Sequence, residues 1–322
     1  MTSSSPFHAG EHMLQSRAGV RERLEAVGQV AMRDHMPDQH RELFGKLPTL
    51  LVGTQDGDGQ PWATMLHGSP GFVTTPDART LRIAASLVGD DPVTPWLVEG
   101  APVGLLGLEP HTRRRNRANG RVRAATPDAV EIAVQQSFGN CPKYIHGREP
   151  ETVARPSPPR ARRLGPALND ASLALLRRAD TLFIASASDA RVASAGAVDR
   201  SQGVDVSHRG GRPGFLRVDV EVDSAGLATV CLTMPDYTGN FFFNTLGNLV
   251  AWPRAGLLVP DYTDGSLLHL AADAAIELDG EALAEFPGAL RLLRLAVRAA
   301  WWREGALPLR WSTPVAPPQF AS

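Results

Sequence analysis

The sequence predicts an α+β protein, mainly β, built from two copies of one β-rich unit. Three blocks carry this expectation, because they recur in the same order with only loop lengths changed. The first copy reads Thr49-Leu-Leu-Val-Gly-Thr54, His67-Gly-Ser-Pro-Gly-Phe72 and Leu97-Val-Glu-Gly-Ala-Pro-Val-Gly-Leu-Leu106. The second reads Thr181-Leu-Phe-Ile-Ala-Ser186, His208-Arg-Gly-Gly-Arg-Pro-Gly-Phe215 and Leu249-Val-Ala-Trp-Pro-Arg-Ala-Gly-Leu-Leu258. The order of signals (helix, strands, helix, strands, helix) fits two α+β barrels better than a parallel α/β sheet. A chain of 322 residues is long enough for two such units, each with its own core.

Taken in order, Leu14, Val20, Leu24, Val27 and Met32 recur at helical spacing and predict an amphipathic helix over 14–35. A shorter helix is expected over 38–45, before Pro48. From 49 to 145 short apolar runs alternate with Gly, Asp and Pro, the pattern of strands. Asp56-Gly-Asp-Gly59 reads as a hairpin turn. It is not a calcium loop, because its twelfth position is His67 rather than Glu. The first unit is thus set at 1–148. A Pro- and Arg-rich linker spans 149–168, with Pro150, Pro156, Pro158, Pro159 and Pro166. The second unit, 169–311, opens on a helix over 170–179 capped by Asn169 or Asp170. Strands continue to about 278, a final helix is expected over 281–303, and 312–322 reads as a loose tail.

Composition excludes several functions. Apolar content of 43% and charged content of 21% are those of a globular protein, and a net charge of −1 implies no attraction to nucleic acid or anionic membrane. Lys46 and Lys143 are the only lysines, so a phosphate site must rely on arginine, main-chain amides or Lys143. Cys141 and Cys231 are too few for an iron–sulfur or zinc cluster. With no secretory pattern and no long apolar run, a cytoplasmic location is expected.

The block Asp205-Val-Ser-His-Arg-Gly-Gly-Arg-Pro-Gly-Phe215 gathers polar and basic groups at one strand end. Pro235-Asp-Tyr-Thr-Gly-Asn240 and Asn244-Thr-Leu-Gly-Asn248 add hydroxyls and amides. Such groups hold a phosphate and the polar edge of a flavin, although any one of them is equally at home in a turn. Arg113-Arg-Arg-Asn-Arg117 is read as a charged strand edge before a nucleic-acid patch. His8 and His12, four apart, lack a third ligand and point only weakly to a metal. His67 and His208 are taken as equivalent positions of the two copies, either of which would suit a haem axial ligand.

These blocks, together with Phe7-His-Ala-Gly-Glu11 and Gln136-Ser-Phe-Gly-Asn-Cys-Pro-Lys-Tyr-Ile145, resemble tandem flavin-nucleotide-binding proteins of the pyridoxamine 5'-phosphate oxidase-like FMN-binding split-barrel superfamily. The resemblance covers about residues 7–311. It implies two split β-barrels forming an internal pseudo-dimer, with FMN in the groove between them and a function as an FMN-dependent oxidoreductase on a small molecule. It implies Ser207, His208, Arg209, Asn240, Thr245 and Asn248 as cofactor residues, with His208 as the candidate proton donor. Where the simple oxidases carry Arg-Lys this chain has Leu246-Gly247, so Lys143 and the arginines of 113–117, Arg113 and Arg115 among them, are expected to replace that charge. Electrons would come from a diffusible nicotinamide or a separate reductase, and a homodimer is compatible with this reading. The rival readings are a haem-binding or haem-handling barrel and a non-catalytic flavin carrier or sensor.

Overall fold

Two antiparallel sheets with one shared strand order make the body of the protein, seen in a computed structural model that describes residues 5–87, 89–154, 159–189 and 199–320. The chain opens with helices α1 (Ala9–Arg17), α2 (Arg21–Ala31) and α3 (Asp38–Lys46). The single helix expected over 14–35 is therefore two. Gly19, at φ 67°, accepts the left-handed turn that ends α1, and the amides of Gly19 and Val20 bond back to Ser16 O and Gln15 O.

The first sheet contains β1 (Thr49–Gln55), β2 (Pro61–His67), β3 (Val73–Asp77), β4 (Thr80–Ile83), β5 (Pro102–Glu109), β6 (Arg114–Thr126) and β7 (Ala129–Gly139), in spatial order β2-β1-β5-β6-β7-β4-β3. Between the sheets lie β8 (Pro150–Thr152), β9 (Arg160–Leu164) and helix α4 (Asp170–Arg178), whose Asn169 side chain caps it by accepting from Ser172 N at 2.9 Å. The second sheet contains β10 (Thr181–Ala187), β11 (Val204–Gly210), β12 (Arg217–Val222), β13 (Ala228–Asp236), β14 (Arg254–Pro260), β15 (Leu267–Glu277) and β16 (Arg291–Glu304), with α5 (Asn244–Ala251) before β14. Its order, β11-β10-β14-β15-β16-β13-β12, repeats the first sheet strand for strand, with β9 added alongside β16.

Burial explains how the two barrels join. Leu50 and Val52 point into the first barrel core and Leu182 and Ile184 into the second. The alternate residues Leu51, Phe183 and Ala185 meet in a third core between the barrels, with Met65, Leu106, Val206 and Leu258. Both faces of β1 and β10 are thereby buried, which is why their runs are continuously apolar. The crossing is reciprocal. A Cβ on Gly104 of β5 would overlap the Val204–Asp205 backbone of β11, and one on Gly256 of β14 would overlap Pro61 and Trp62 of β2. Only glycine lets these backbones approach so closely. The fold is two split β-barrels forming an internal pseudo-dimer, flanked by helices. No helix among the described residues is long and apolar enough to cross a membrane.

Two further expectations change. Residues 281–303 are not a helix: a short 3₁₀ turn at Glu281–Glu285 precedes strand β16. The strand pairs with β15 on one side and with β13 and β9 on the other, and a register shift opposite Ala271/Ala272 breaks its alternation. The spacing of Arg291, Arg294 and Arg298 therefore mimics a helical stripe. The tail is packed as far as Phe320. Leu309–Trp311 forms β17 against β8, Val315 pairs with Gly147, and Phe320 packs on Tyr144 and His146.

Candidate functional site

An open cleft runs between the barrels. The first barrel supplies Arg115 and Arg117 of β6 and the 140–144 segment after β7; the second supplies β11, the end of β13, the 239–243 loop and the first turn of α5. Strand periodicity decides which arginines reach it. Arg115 and Arg117, two apart, line the cleft, whereas Arg114 on the other face bonds the carbonyl of Gln39.

The charge of the cleft is lopsided. Five basic side chains line it (Arg115, Arg117, Lys143, Arg209 and Arg291) against the carboxylate of Asp236. Asp236 is shared, accepting from Arg209 at 2.5 Å and from Arg291 Nε at 3.0 Å. Arg117 is 5% exposed and donates to Asp205 at 2.9 Å, to Asn244 Oδ1 at 3.1 Å and to Ser207 Oγ. Arg115 donates through Nε to the carbonyl of Cys141 at 2.9 Å. Burial, then the neighbouring Arg117 and Arg209, brings its pKa down to about 9.

Polar groups without partners converge here. Nε of Arg117 and of Arg209, Nε2 of His208 and Nδ2 of Asn140 are buried with no hydrogen-bond partner. The first turn of α5 follows the left-handed Phe243 (φ 64°) and carries no side-chain cap. Its amides thus add the positive end of a helix to the same space. Left-handed backbone at Tyr144, Phe241 and Phe243 concentrates strain around the cleft. Chemically, the arrangement is built to hold an anion with fixed, partly dehydrated guanidinium donors.

A buried network holds Arg117 in place. His8 caps α1, its Nδ1 accepting from Gly10 N at 3.2 Å, which leaves Nε2–H to donate to Asn248 Oδ1 at 2.9 Å. Asn248 Nδ2 in turn donates to Asp205 at 2.9 Å, as does Asn119 at 2.7 Å. Glu11 accepts from His8 N and from Asn244 Nδ2, while burial first and Asp205 second push its pKa well up. Gly247 makes this contact feasible, since a Cβ there would strike the backbone and side chain of Glu11. This is the physical reason for Leu246-Gly247: Leu246 fills the core and Gly247 seats α1.

The structure brings Ser207, His208, Arg209, Asn240, Thr245, Arg115 and Lys143 to the cleft, with Ser207 Oγ and Thr245 Oγ1 bonded at 2.7 Å. Two expected residues lie elsewhere. Asn248 sits behind the cleft in the His8–Asp205 network, one turn too deep on α5. Arg113 turns away at φ 57° and bonds the carbonyls of Ile145 and Ala316. Arg117 lay inside the flagged basic run without being singled out; its two-residue spacing from Arg115 was the available signal. His8 and His12 bond Asn248 and Ser5 respectively, and among the described residues no group of three or more His, Cys, Asp or Glu could hold a metal ion.

The ladder also corrects the pairing of His67 with His208. Thr49 faces His67 and Thr181 faces Gly210, so His67 corresponds to Gly210, and His208 to Met65. By the same register Thr64, Met65 and Leu66 stand in the second pseudo-equivalent cleft where Ser207, His208 and Arg209 stand in the first. His269 replaces Arg117, and Arg303 replaces Asn140. That place is closed by an internal ion pair: Asp91 accepts from Arg303 and from Thr64 Oγ1, each at 2.5 Å. One cleft is open and cationic; its counterpart is neutralised from within.

Burial keeps His208 neutral, well below the ordinary histidine range, with Arg115 adding to the effect. Burial likewise brings His40 and His269 from 6.5 down to about 4. The unfolded chain therefore binds these protons more tightly. The contribution of these histidines to stability is fully present above about pH 6.5 and is lost as pH drops toward about 4. Relative to the wild type, the denaturant midpoint of His40→Gln should fall less as pH drops across that window; parallel profiles reject the assignment.

No protein-family model matches the chain, and no curated protein matches it. Among solved structures it is similar to HupZ of Group A Streptococcus, at 15% identity over 32% of this chain and 93% of that one, with a TM-score of 0.26. It is similar to a candidate pyridoxamine 5'-phosphate oxidase of Lactobacillus delbrueckii, at 18% identity over 42% and 93% of the two chains, with a TM-score of 0.29. A FAD-binding protein of Mesorhizobium loti aligns at 14% identity over 44% and 97%, with a TM-score of 0.24.

Proposed function

We propose that the inter-barrel cleft binds the phosphate and ring of one FMN, and that the protein is an FMN-dependent oxidoreductase acting on a small molecule. The observation that carries this is the convergence of unpartnered buried donors on Arg117, Arg209 and Asn140, beside the unpartnered Nε2 of His208, in a cleft already rich in positive charge. That donor set fits a phosphate monoester. Arg115, Arg117, Arg209, Lys143 and the first turn of α5 would hold it, with Ser207 and Thr245 adding hydroxyl contacts.

A bound flavin supplies hydride and electron transfer; the protein contributes position and electrostatics. Arg117, fixed by Asp205, presents its charge without reorganising when an anion arrives. His208, neutral and unpartnered at Nε2, is placed to hydrogen-bond a ligand in the cleft. Electrons would come from a diffusible nicotinamide or a partner reductase. We further read the barrels as copies of one unit, spanning 1–148 and 169–311 and joined by 149–168, in a cytoplasmic protein whose Cys141 and Cys231 stay as free thiols.

Calorimetric titration with FMN should give one molecule per chain, since the counterpart cleft is occupied by Asp91 and Arg303. Two equal sites would reject the closed-cleft reading, and no binding would reject the flavin. An absorption spectrum of the purified protein separates flavin from haem. Flavin that no nicotinamide, reductase or substrate reduces would make the protein a carrier or sensor.

A further inference from the structure

Two tyrosines from different barrels meet at the rim of the cleft. Tyr144 follows β7 and Tyr237 follows β13; their ring centroids are 5.3 Å apart and their planes tilted by 32°. Tyr144 holds a left-handed backbone (φ 65°) and donates its hydroxyl to Thr238 O at 3.0 Å, which ties the two segments together. A strained residue keeps such a conformation only where its surroundings impose it.

The C-terminal segment imposes it. Val315 and Gly147 exchange backbone hydrogen bonds at 2.8 Å, Ser312 N donates to Glu149 O at 2.9 Å, and Arg113 reaches Ala316 O at 3.2 Å. The segment is thus laid along the 144–149 stretch. It ends with the Phe320 ring 5.7 Å from Tyr144 and 6.2 Å from Tyr237, stacked over His146 at 6.1 Å and capped by the Arg212 guanidinium at 5.8 Å. Phe320 packs against both tyrosines.

We propose that Tyr144 and Tyr237 form a stacking platform for the planar aromatic ring of a ligand whose anionic end sits at the arginines, and that Phe320 is its positioning residue. The proposal rests on the reading of the cleft as an anion site. It makes the last residues of the chain part of the binding site, a ring-selective element distinct from the charge-selective one. Ring stacking of this kind corresponds to about a five- to tenfold gain in affinity.

The test compares phenyl phosphate with glycerol phosphate, two phosphate monoesters differing in the ring, by calorimetry on the full chain, with FMN as a separate arm. The wild type should bind phenyl phosphate about five- to tenfold more tightly. Phe320→Ala and Tyr237→Leu should erase most of that ratio while leaving glycerol phosphate affinity unchanged, and Phe320→Trp should restore it. A general loss of structure would lower both affinities together, so the ratio isolates the platform. If the ratio depends on Phe320 but FMN does not bind, the platform stands and the flavin reading falls. Equal affinities in the wild type, a ratio unchanged in both variants, or no binding of either phosphate overturns the proposal.

Discussion

Arg117→Met is expected to remove anion binding and to destabilise the fold at once. The guanidinium is buried against Asp205, and deleting it leaves that carboxylate, among the described residues, with the amides of Asn119 and Asn248. Breaking one side of a buried pair costs about 3–5 kcal/mol. Losing a charge-assisted contact to phosphate lowers affinity by about ten- to a hundredfold. The effects separate in Arg117→Met/Asp205→Asn, which removes the stranded charge: stability measured by urea unfolding should partly return, and FMN or phosphate binding should not. A double variant that regains ligand affinity would remove Arg117 from the site.

Arg303→Met, at the pseudo-equivalent position of the other cleft, should behave oppositely. Asp91 would lose its guanidinium partner while keeping bonds from Thr64 Oγ1 and from Val93 N. A stability loss of about 3 kcal/mol is expected. Ligand affinity and stoichiometry should stay at the wild-type value, because the change lies outside the cationic cleft. A fall in FMN affinity comparable to that of Arg117→Met would show that the two clefts are coupled, and would reject the view that one is purely structural.

The repeated blocks are local: an apolar run between turn residues specifies a strand wherever it occurs, so Thr49–Gln55 and Thr181–Ala187 were legible as matching strands. The blocks at 205–215, 235–240 and 244–248 were legible as clusters of polar residues within short stretches, and residues of each line the cleft. The helix predicted at 281–303 failed for a reason of the same kind. A strand paired on both sides and interrupted by a register shift loses the alternation that would distinguish it from a helix.

The sequence by itself determined the two β-rich units, their turns and the residue types available to hold an anion, because these follow from short-range periodicity and backbone preference. The tertiary structure decided which arginines face the cleft, that Asn248 and Arg113 do not, and that the tail reaches the rim. It also decided which of two clefts remains open. Thr64 and Asp91 are 27 residues apart and Arg303 lies 212 beyond Asp91, yet they close one site together. Arg117 and Ser207, 90 apart, frame the other. Charge pairing across such separations is set by how the barrels pack, and no local pattern in the chain encodes it.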